Sequence, residues 1–273
     1  MKQKSSKKLL STSLLLVLIA LVSLTAATTA WMTIADSTRL KTMRLDVTSG
    51  ANLRFDLDSH ETFEEYVKSL RLIDIADRIL RDQGYHPREN PLSPVTTTDC
   101  IHFTLENGEP AATESYMEFV LHFMATDDMV VHLTTAGEEG TRIFSDEVSD
   151  IAKAMRISFT ADDSTAVYDP GMEPGSEEGL GGKIFGLARG NRIVYDASNT
   201  LFFLNAGVDK PVTVRIWLEG TDEICTDALR GVPYNIQLRF VGTDENGNLL
   251  EDSRTITRRS AAATPTEERN ENK

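Results

Sequence analysis

Five histidines are the side chains of this sequence best suited to bind a catalytic metal: His60, His86, His102, His122 and His132. Residues 117–123 and 129–133 both alternate apolar and polar side chains, which predicts a hairpin with Leu121 opposite Leu133. In that register His122 and His132 face each other on the side away from the core, and His102 has the same outward phase in its own predicted strand. Neutral imidazoles this close could bind zinc. A surface histidine pair without metal is the commoner arrangement, and the chain has no His-Glu-x-x-His motif, so the sequence predicts no metal residues.

Acidic residues crowd a second region, the predicted loop after residues 212–218: Glu219, Asp222, Glu223 and Asp227. Carboxylate oxygens are ligands that calcium prefers, although a solvated acidic loop without metal explains the same residues. The run Asp244-Glu245-Asn246-Gly247-Asn248 shares part of a calcium-loop pattern, but its glycine is misplaced for an EF-hand. Asn246-Gly247 instead predicts a tight hairpin turn.

A glycine-rich run, Gly179-Leu180-Gly181-Gly182-Lys183, has the composition of a phosphate-binding loop. It lacks the Ser or Thr after the lysine and the preceding buried strand that such loops need. No serine or cysteine has the local sequence signature of an activated nucleophile. The sequence therefore predicts a non-enzymatic protein with no catalytic residues and no cofactor.

The charge balance restricts the partners. Lys and Arg number 28 against 42 Asp and Glu, which gives a formal charge of −14. Because residues 1–30 contain four lysines and no acid, the remainder carries −18. A surface this acidic repels nucleic acid and anionic lipid, so no nucleic-acid partner is predicted.

The N-terminal 35 residues predict export from the cytoplasm. Four lysines precede an uncharged run over residues 9–35, which is typical of a signal peptide or of a membrane-spanning helix. Small residues at positions −3 and −1 suit cleavage after Ala27 or Ala30, whereas about 20 apolar residues before Trp31 suit a retained anchor with the membrane as partner. Both alternatives place residues 36–255 at the extracellular face of the membrane or in secreted form.

Two cysteines, Cys100 and Cys225, lie far apart in the sequence. In an oxidising compartment they could form a disulfide, worth about 4 kcal/mol in the chain-entropy model for so long a loop. Two separate buried thiols are the alternative.

The pattern of residues 36–255 predicts a mainly β ectodomain, an antiparallel β-sandwich of jelly-roll-like form with one amphipathic helical insertion. The helix is predicted at about residues 60–83, where apolar residues recur at helical spacing and Gly84 provides the stop. A flexible loop is predicted at 170–182, a hairpin from 183–188 and 192–196, and a disordered polar tail at 256–273. Further strands are predicted at residues 43–47, 53–57, 101–105, 155–159, 201–204, 212–218 and 234–240, with a short helix at 148–154.

Several stretches resemble a known group of proteins. Thr29-Ala30-Trp31-Met32-Thr33, followed by Leu45-Asp46-Val47, is similar to the start of camelysin/TasA-type exported surface proteins of Gram-positive bacteria. The stretches 116–119, 154–159 and 216–222 with Cys225 resemble uncharacterised clostridial surface proteins with the same N-terminus. The resemblance implies a jelly-roll-like sandwich that serves as a biofilm-matrix or fibre subunit and donates an N-terminal strand to its neighbour. The predicted helix at 61–83 departs from that pattern.

Three functions follow as expectations. The first is a structural or fibre-subunit role at the cell surface, in which cleavage at Trp31 would free residues 31–44 as an extended arm for self-association by strand donation. The second is a membrane-anchored binding module for wall polymer or peptide, which predicts an exposed aromatic patch near Trp217 and Tyr234; packing of Trp217 in the core is the alternative. The third, a metalloprotease, is implied only by the resemblance.

Overall fold

A computed structural model describes residues 40–47, 52–147, 150–226, 229 and 232–250. The predicted N-terminal helix within residues 1–35 and the predicted tail at 256–273 lie outside these ranges. Within the described ranges the chain is mainly β, with two α-helices, α1 (Leu72–Gln83) and α2 (Ile151–Ala154). The strands are β1 (Leu40–Val47), β2 (Leu53–Asp56), β3 (Ser69–Arg71), β4 (Pro94–Thr97), β5 (Phe103–Thr104), β6 (Met117–Ala125), β7 (Met129–Leu133), β8 (Arg142–Phe144), β9 (Met155–Ala161), β10 (Ser164–Tyr168), β11 (Gly175–Gly179), β12 (Gly182–Gly186), β13 (Thr200–Leu204), β14 (Lys210–Glu219) and β15 (Tyr234–Thr243).

The strands form two mixed sheets. The six-stranded sheet has the order β13-β7-β15-β1-β3, and β8 also pairs with β15. The nine-stranded sheet has the order β11-β12-β10-β9-β14-β4-β5, with β6 on β14 and β2 on β6. Three pairs are parallel: β1 with β15, β10 with β12, and β4 with β14. The prediction of purely antiparallel sheets is therefore wrong, because period-2 alternation identifies the buried face of a strand but not its neighbour or direction.

The predicted hairpin of residues 117–123 with 129–133 is also wrong. Strand β6 pairs with β2 and β14 in the nine-stranded sheet, whereas β7 pairs with β13 and β15 in the six-stranded sheet. The three residues between them carry the chain from one sheet to the other. Leu121 and Leu133 are both fully buried, so the alternation is satisfied without the two strands pairing.

Helix α1 begins about twelve residues later than the predicted start near residue 60. Residues 63–65 form a single 3-10 turn, and Ser69–Arg71 pair with β1 as β3. Hydrogen bonds between Phe55 and Val67 attach this segment to β2 as well. In the first half of the predicted helix, hydrogen bonds to sheet strands therefore replace the hydrogen bonds of a helix. The predicted stop is confirmed, since Gly84 has a φ of +81° at the C-terminal cap.

Two other predictions are corrected downstream. Residues 175–179, within the predicted loop, form β11, which pairs antiparallel with β12 through a turn with positive φ at Leu180 and Gly181. Residues 192–196 contain no strand, and β12 pairs with β10 instead. Hydrogen bonding to a distant strand is not visible in local composition. The predicted strand at 101–105 shortens to β5, while the strands β1, β2, β6, β7, β9, β13, β14 and β15 and the helix α2 are confirmed.

Both sheets contribute to one hydrophobic cluster. The ring of Phe240 on β15 lies 5.7, 5.2 and 5.9 Å from those of Phe55, Phe123 and Phe159 in the other sheet. A second, smaller cluster groups five buried residues outside it: Val95, Cys100, Phe103, Val167 and Trp217. No helix in the described ranges is long and apolar enough to span a bilayer.

Candidate binding cleft

His122 and His60 lie near each other in a polar cluster around Asp209. Asp209 accepts hydrogen bonds from Ser59 Oγ (2.8 Å), Tyr66 Oη (2.8 Å) and the ring of His122 (2.9 Å). Burial alone would raise the pKa of Asp209, but these hydrogen bonds lower it below its usual value. The Nε2 atom of His60 lies 3.3 Å from Asp56 Oδ2, at ion-pair distance without hydrogen-bond alignment. The cluster fastens the segment 59–66 onto the nine-stranded sheet.

His132 lies in the other sheet and is almost fully buried, so the predicted pairing with His122 is wrong. Its Nδ1 atom is 2.7 Å from Asn199 Oδ1, and its Nε2 atom is 3.2 Å from Thr243 Oγ1. Desolvation by burial lowers the pKa of His132. The hydrogen bonds and the burial explain why His132 is neutral and has a structural role.

The two remaining histidines lie in surface turns. His102 contacts Asp99 at 2.7 Å with an exposed ring, and His86 Nδ1 accepts a hydrogen bond from the Arg88 amide. Within the described ranges no three histidine, cysteine or acidic residues come together as a metal site.

The acidic residues after β14 do not converge on a common point. Glu219 is buried and accepts hydrogen bonds from Trp217 Nε1 (3.0 Å) and Thr221 Oγ1 (2.7 Å). Asp222 pairs with Arg156 at 2.8 Å, and the same guanidinium holds Asp169 at 3.1 Å. Internal contacts therefore occupy the carboxylates of Glu219 and Asp222, which were candidate calcium ligands. The exposed Glu223 shares no hydrogen bond or ion pair with either of them. Asp227 lies outside the described residues.

The Asp244–Asn248 run is a turn, as predicted. Gly247 has a φ of +79°, and Asp244 Oδ1 accepts hydrogen bonds from the amides of Asn246 and Asn248, both at 2.9 Å. Lys183, in the glycine-rich run, donates to the carbonyls of Ala197 (2.7 Å) and Thr200 (2.8 Å). Both motifs have structural roles.

The cysteines and aromatic residues singled out in the sequence are also packed internally. Cys100 carries a free thiol in the smaller cluster, so it forms no disulfide with Cys225, which packs against the larger one. Burial raises the pKa of Cys100 to about 11. Trp217 and Tyr234 are fully buried, so the predicted aromatic patch near them is absent and the core alternative for Trp217 is confirmed.

The strongest candidate site is a cleft of about 580 Å³ on the six-stranded sheet. Its floor is formed by β1 and β15, and its walls are β3 with the start of α1 on one side and β8 on the other. We call it the arginine cleft because Arg44, Arg71 and Arg88 line it, together with apolar side chains that include Leu72, Ile73 and Phe144.

Strand register positions two of these arginines. In the antiparallel pair of β1 and β3, Arg44 lies opposite Arg71, and Leu45 lies opposite Leu70. The leucines are buried in the core, so alternation directs the arginines to the outer face. Arg71 ends β3 and directly precedes α1, and Arg88 belongs to the turn after that helix. Strand register and chain order thus bring all three arginines to the cleft.

The three arginines differ in how they are compensated. Arg44 is neutralised by Asp46 (2.6 Å) and Glu139 (3.0 Å). The guanidinium groups of Arg71 and Arg88 have no hydrogen-bond or ion-pair partner in the part of the chain that the structure describes, whereas Arg156 and Arg215 each pair with carboxylates. Two uncompensated cations thus share one cleft in a chain of net charge −14.

Sequence reasoning did not single out Arg71 or Arg88. Arginine at the N-terminal end of a helix is unfavourable for the helix dipole, and Arg71 directly before α1 is a weak signal of this kind. Asp74 accepts a hydrogen bond from the backbone amide of Arg71 (2.9 Å) and not from its guanidinium. That neither guanidinium has an ion-pair partner among the described residues depends on tertiary contacts.

The chain was compared with protein-family models, with curated proteins and with solved structures, and none of them matches.

Proposed function

We propose that this chain is a non-enzymatic, exported cell-surface protein that acts as a binding module, with the arginine cleft as its binding surface. The observation that carries the proposal is the pair of uncompensated guanidiniums beside exposed apolar surface. Concave sites with a few convergent polar groups are the usual place of ligand binding. The export-type N-terminus and the resemblance to Gram-positive surface proteins support a position outside the cytoplasm, anchored if the segment 1–35 is retained.

We further infer that the two sheets face each other as a β-sandwich. The ring contacts between Phe240 and the three phenylalanines of the nine-stranded sheet support this architecture, since inward side chains of two facing sheets interdigitate in a sandwich. Such a body would present the outer face of the six-stranded sheet, and with it the arginine cleft, to the surroundings.

The structural or fibre-subunit role is the second candidate. Its support is the N-terminal resemblance, while the structure limits the donated arm. Residues 40–44 of the predicted arm already belong to β1, which lies between β15 and β3 of the same chain. A donated strand would therefore come from residues before Leu40.

The binding role is tested by co-sedimentation of the purified full chain with envelope fragments from the source organism. We expect the Arg71→Gln/Arg88→Gln variant to bind at least about tenfold more weakly than wild type, which corresponds to about 1.4 kcal/mol. The matched control is Arg189→Gln/Arg192→Gln, which removes the same charge from two exposed arginines outside the cleft. Binding of the cleft variant at the wild-type level would contradict the proposal.

A further inference from the structure

We propose that the ligand of the arginine cleft is a peptide segment that carries an isolated carboxylate beside an apolar side chain. This inference rests on the binding role proposed above and specifies its ligand.

Arg71 and Arg88 supply the charged contacts of the cleft. A guanidinium presents a planar fork of N–H donors that matches a carboxylate or a phosphate. Each of these two forks is open, because no described residue compensates it, and both line the same cleft. An incoming anion would therefore gain charge-assisted hydrogen bonds without displacing an internal partner.

The walls of the cleft beside these arginines supply apolar surface. Ile73 is 50% exposed although it lies next to the buried Leu72, and Phe144 on the opposite wall is half-buried with the Arg142 guanidinium 4.7 Å above its ring. A ligand that was only charged would leave this surface exposed to water, whereas an apolar side chain would cover it. The cleft volume lies in the range of pockets that bind small ligands, which suits a few residues of peptide.

The acidic partners of Arg44 favour a single carboxylate over a polyanion as the ligand. Asp46 and Glu139 both pair with Arg44, which lines the cleft, so a second negative charge near Arg44 would be repelled. The net charge of −14 repels dense polyanions at longer range as well. A phosphate-rich polymer thus fits the cleft less well than a peptide with one acidic residue next to an apolar one.

The test uses the full chain and pools of fluorescein-labelled heptapeptides, measured by fluorescence anisotropy. One pool has Glu-Leu fixed at its centre, and the matched pools have Gln-Leu and Glu-Ser. We expect the Glu-Leu pool to bind at least about tenfold more tightly than either matched pool, in line with the loss of a charge-assisted pair or of an apolar contact.

Variants of the cleft test its charged contacts and its apolar contacts separately. Arg71→Gln/Arg88→Gln should abolish the preference for Glu over Gln, and Arg71→Lys/Arg88→Lys should restore part of it. Ile73→Ser should abolish the preference for Leu over Ser. Arg189→Gln/Arg192→Gln should change neither preference, and unchanged thermal unfolding midpoints would show that the variants remain folded.

Equal binding of the three pools overturns the proposal, as does an equal effect of the control variant. Tight binding of sodium polyphosphate that depends on Arg71 and Arg88, with no preference among the pools, overturns it in favour of a phosphate polymer. If the pools fail while envelope binding still depends on both arginines, only the peptide assignment fails. If neither measurement depends on them, the binding role fails too.

Discussion

Gly247 and Gly108 have nearly the same backbone conformation but different surroundings. Their φ angles are +79° and +81°, in the left-handed region that disfavours side chains. A Cβ atom added at Gly108 would meet nothing within 4 Å, whereas at Gly247 it would lie 2.0 Å from the carbonyl oxygen of Tyr195. Substitutions at these two glycines therefore distinguish the cost of conformational strain alone from the cost of strain with steric overlap.

We expect Gly108→Ala to lower the free energy of unfolding by about 1 kcal/mol, the strain of a left-handed alanine. Gly247→Ala should lower it by about 2–4 kcal/mol, because overpacking adds to that strain. Urea denaturation of the full chain measures both values. Equal losses at the two positions would show that the Asp244–Asn248 turn does not pack against Tyr195.

The candidate site also shows how far single residues can be interpreted. The sequence displays Arg71 and Arg88 among 28 basic residues, but nothing local distinguishes them from Arg156, which two carboxylates enclose. The five histidines were candidate metal ligands because of their residue type, but each is held by polar contacts that are either local or buried. Residue type identifies what a side chain can do, and its neighbours in space decide whether it is available.

Among the elements, β15 is a central strand of the six-stranded sheet that also contacts the other sheet. It pairs with β1, β7 and β8 in its own sheet, and its Phe240 contacts three rings of the other sheet. Phe203 on β13 is 39% exposed and belongs to neither hydrophobic cluster. The two phenylalanines therefore form a matched pair of core and surface positions.

Phe240→Ala should lower the free energy of unfolding by about 3–5 kcal/mol, because it removes a fully buried ring and leaves a cavity between the sheets. Phe203→Ala should lower it by less than about 1 kcal/mol. Chemical denaturation followed by circular dichroism provides the comparison. A loss at Phe240 no larger than that at Phe203 would contradict the inter-sheet packing described above.

At the scale of the whole molecule, acid should destabilise the fold in two stages. His132 has a lowered pKa because burial disfavours its charged form, and Lys183, Asp196 and Tyr195 face it. Below its unfolded pKa of about 6.5 the unfolded chain takes up a proton that the folded chain resists, so stability falls as pH decreases through about 6.5 toward the lower folded pKa.

The second stage involves carboxylates. Hydrogen bonds from Ser198 and Asn248 lower the pKa values of Asp196 and Asp244, and the Asp209 cluster acts in the same direction. Their stabilising effect is present above the unfolded pKa of about 3.9 and is lost as pH falls through the lower folded values.

Denaturation across pH 3–8 should therefore show both stages for the wild type. His132→Asn should remove the first stage and leave the second, while His86→Asn, in the turn before Arg88, should leave both. A first stage that persists in His132→Asn would show that another group causes it.

Side-chain alternation is a local property of the chain, so the sequence was enough to locate most strands and the buried face of each. It also determined the helix stop at Gly84 and the turn at Asn246-Gly247, since both depend on the backbone freedom of one glycine. Strand partners and directions, the late start of α1 and the arginine cleft were decided only by the tertiary structure. Strands β6 and β7 bury the same leucines whether they pair as a hairpin or lie in two separate sheets. Only the packing of the complete core therefore distinguishes the two arrangements. The same packing places Arg71 and Arg88 in one cleft and leaves both guanidiniums without an ion-pair partner among the described residues.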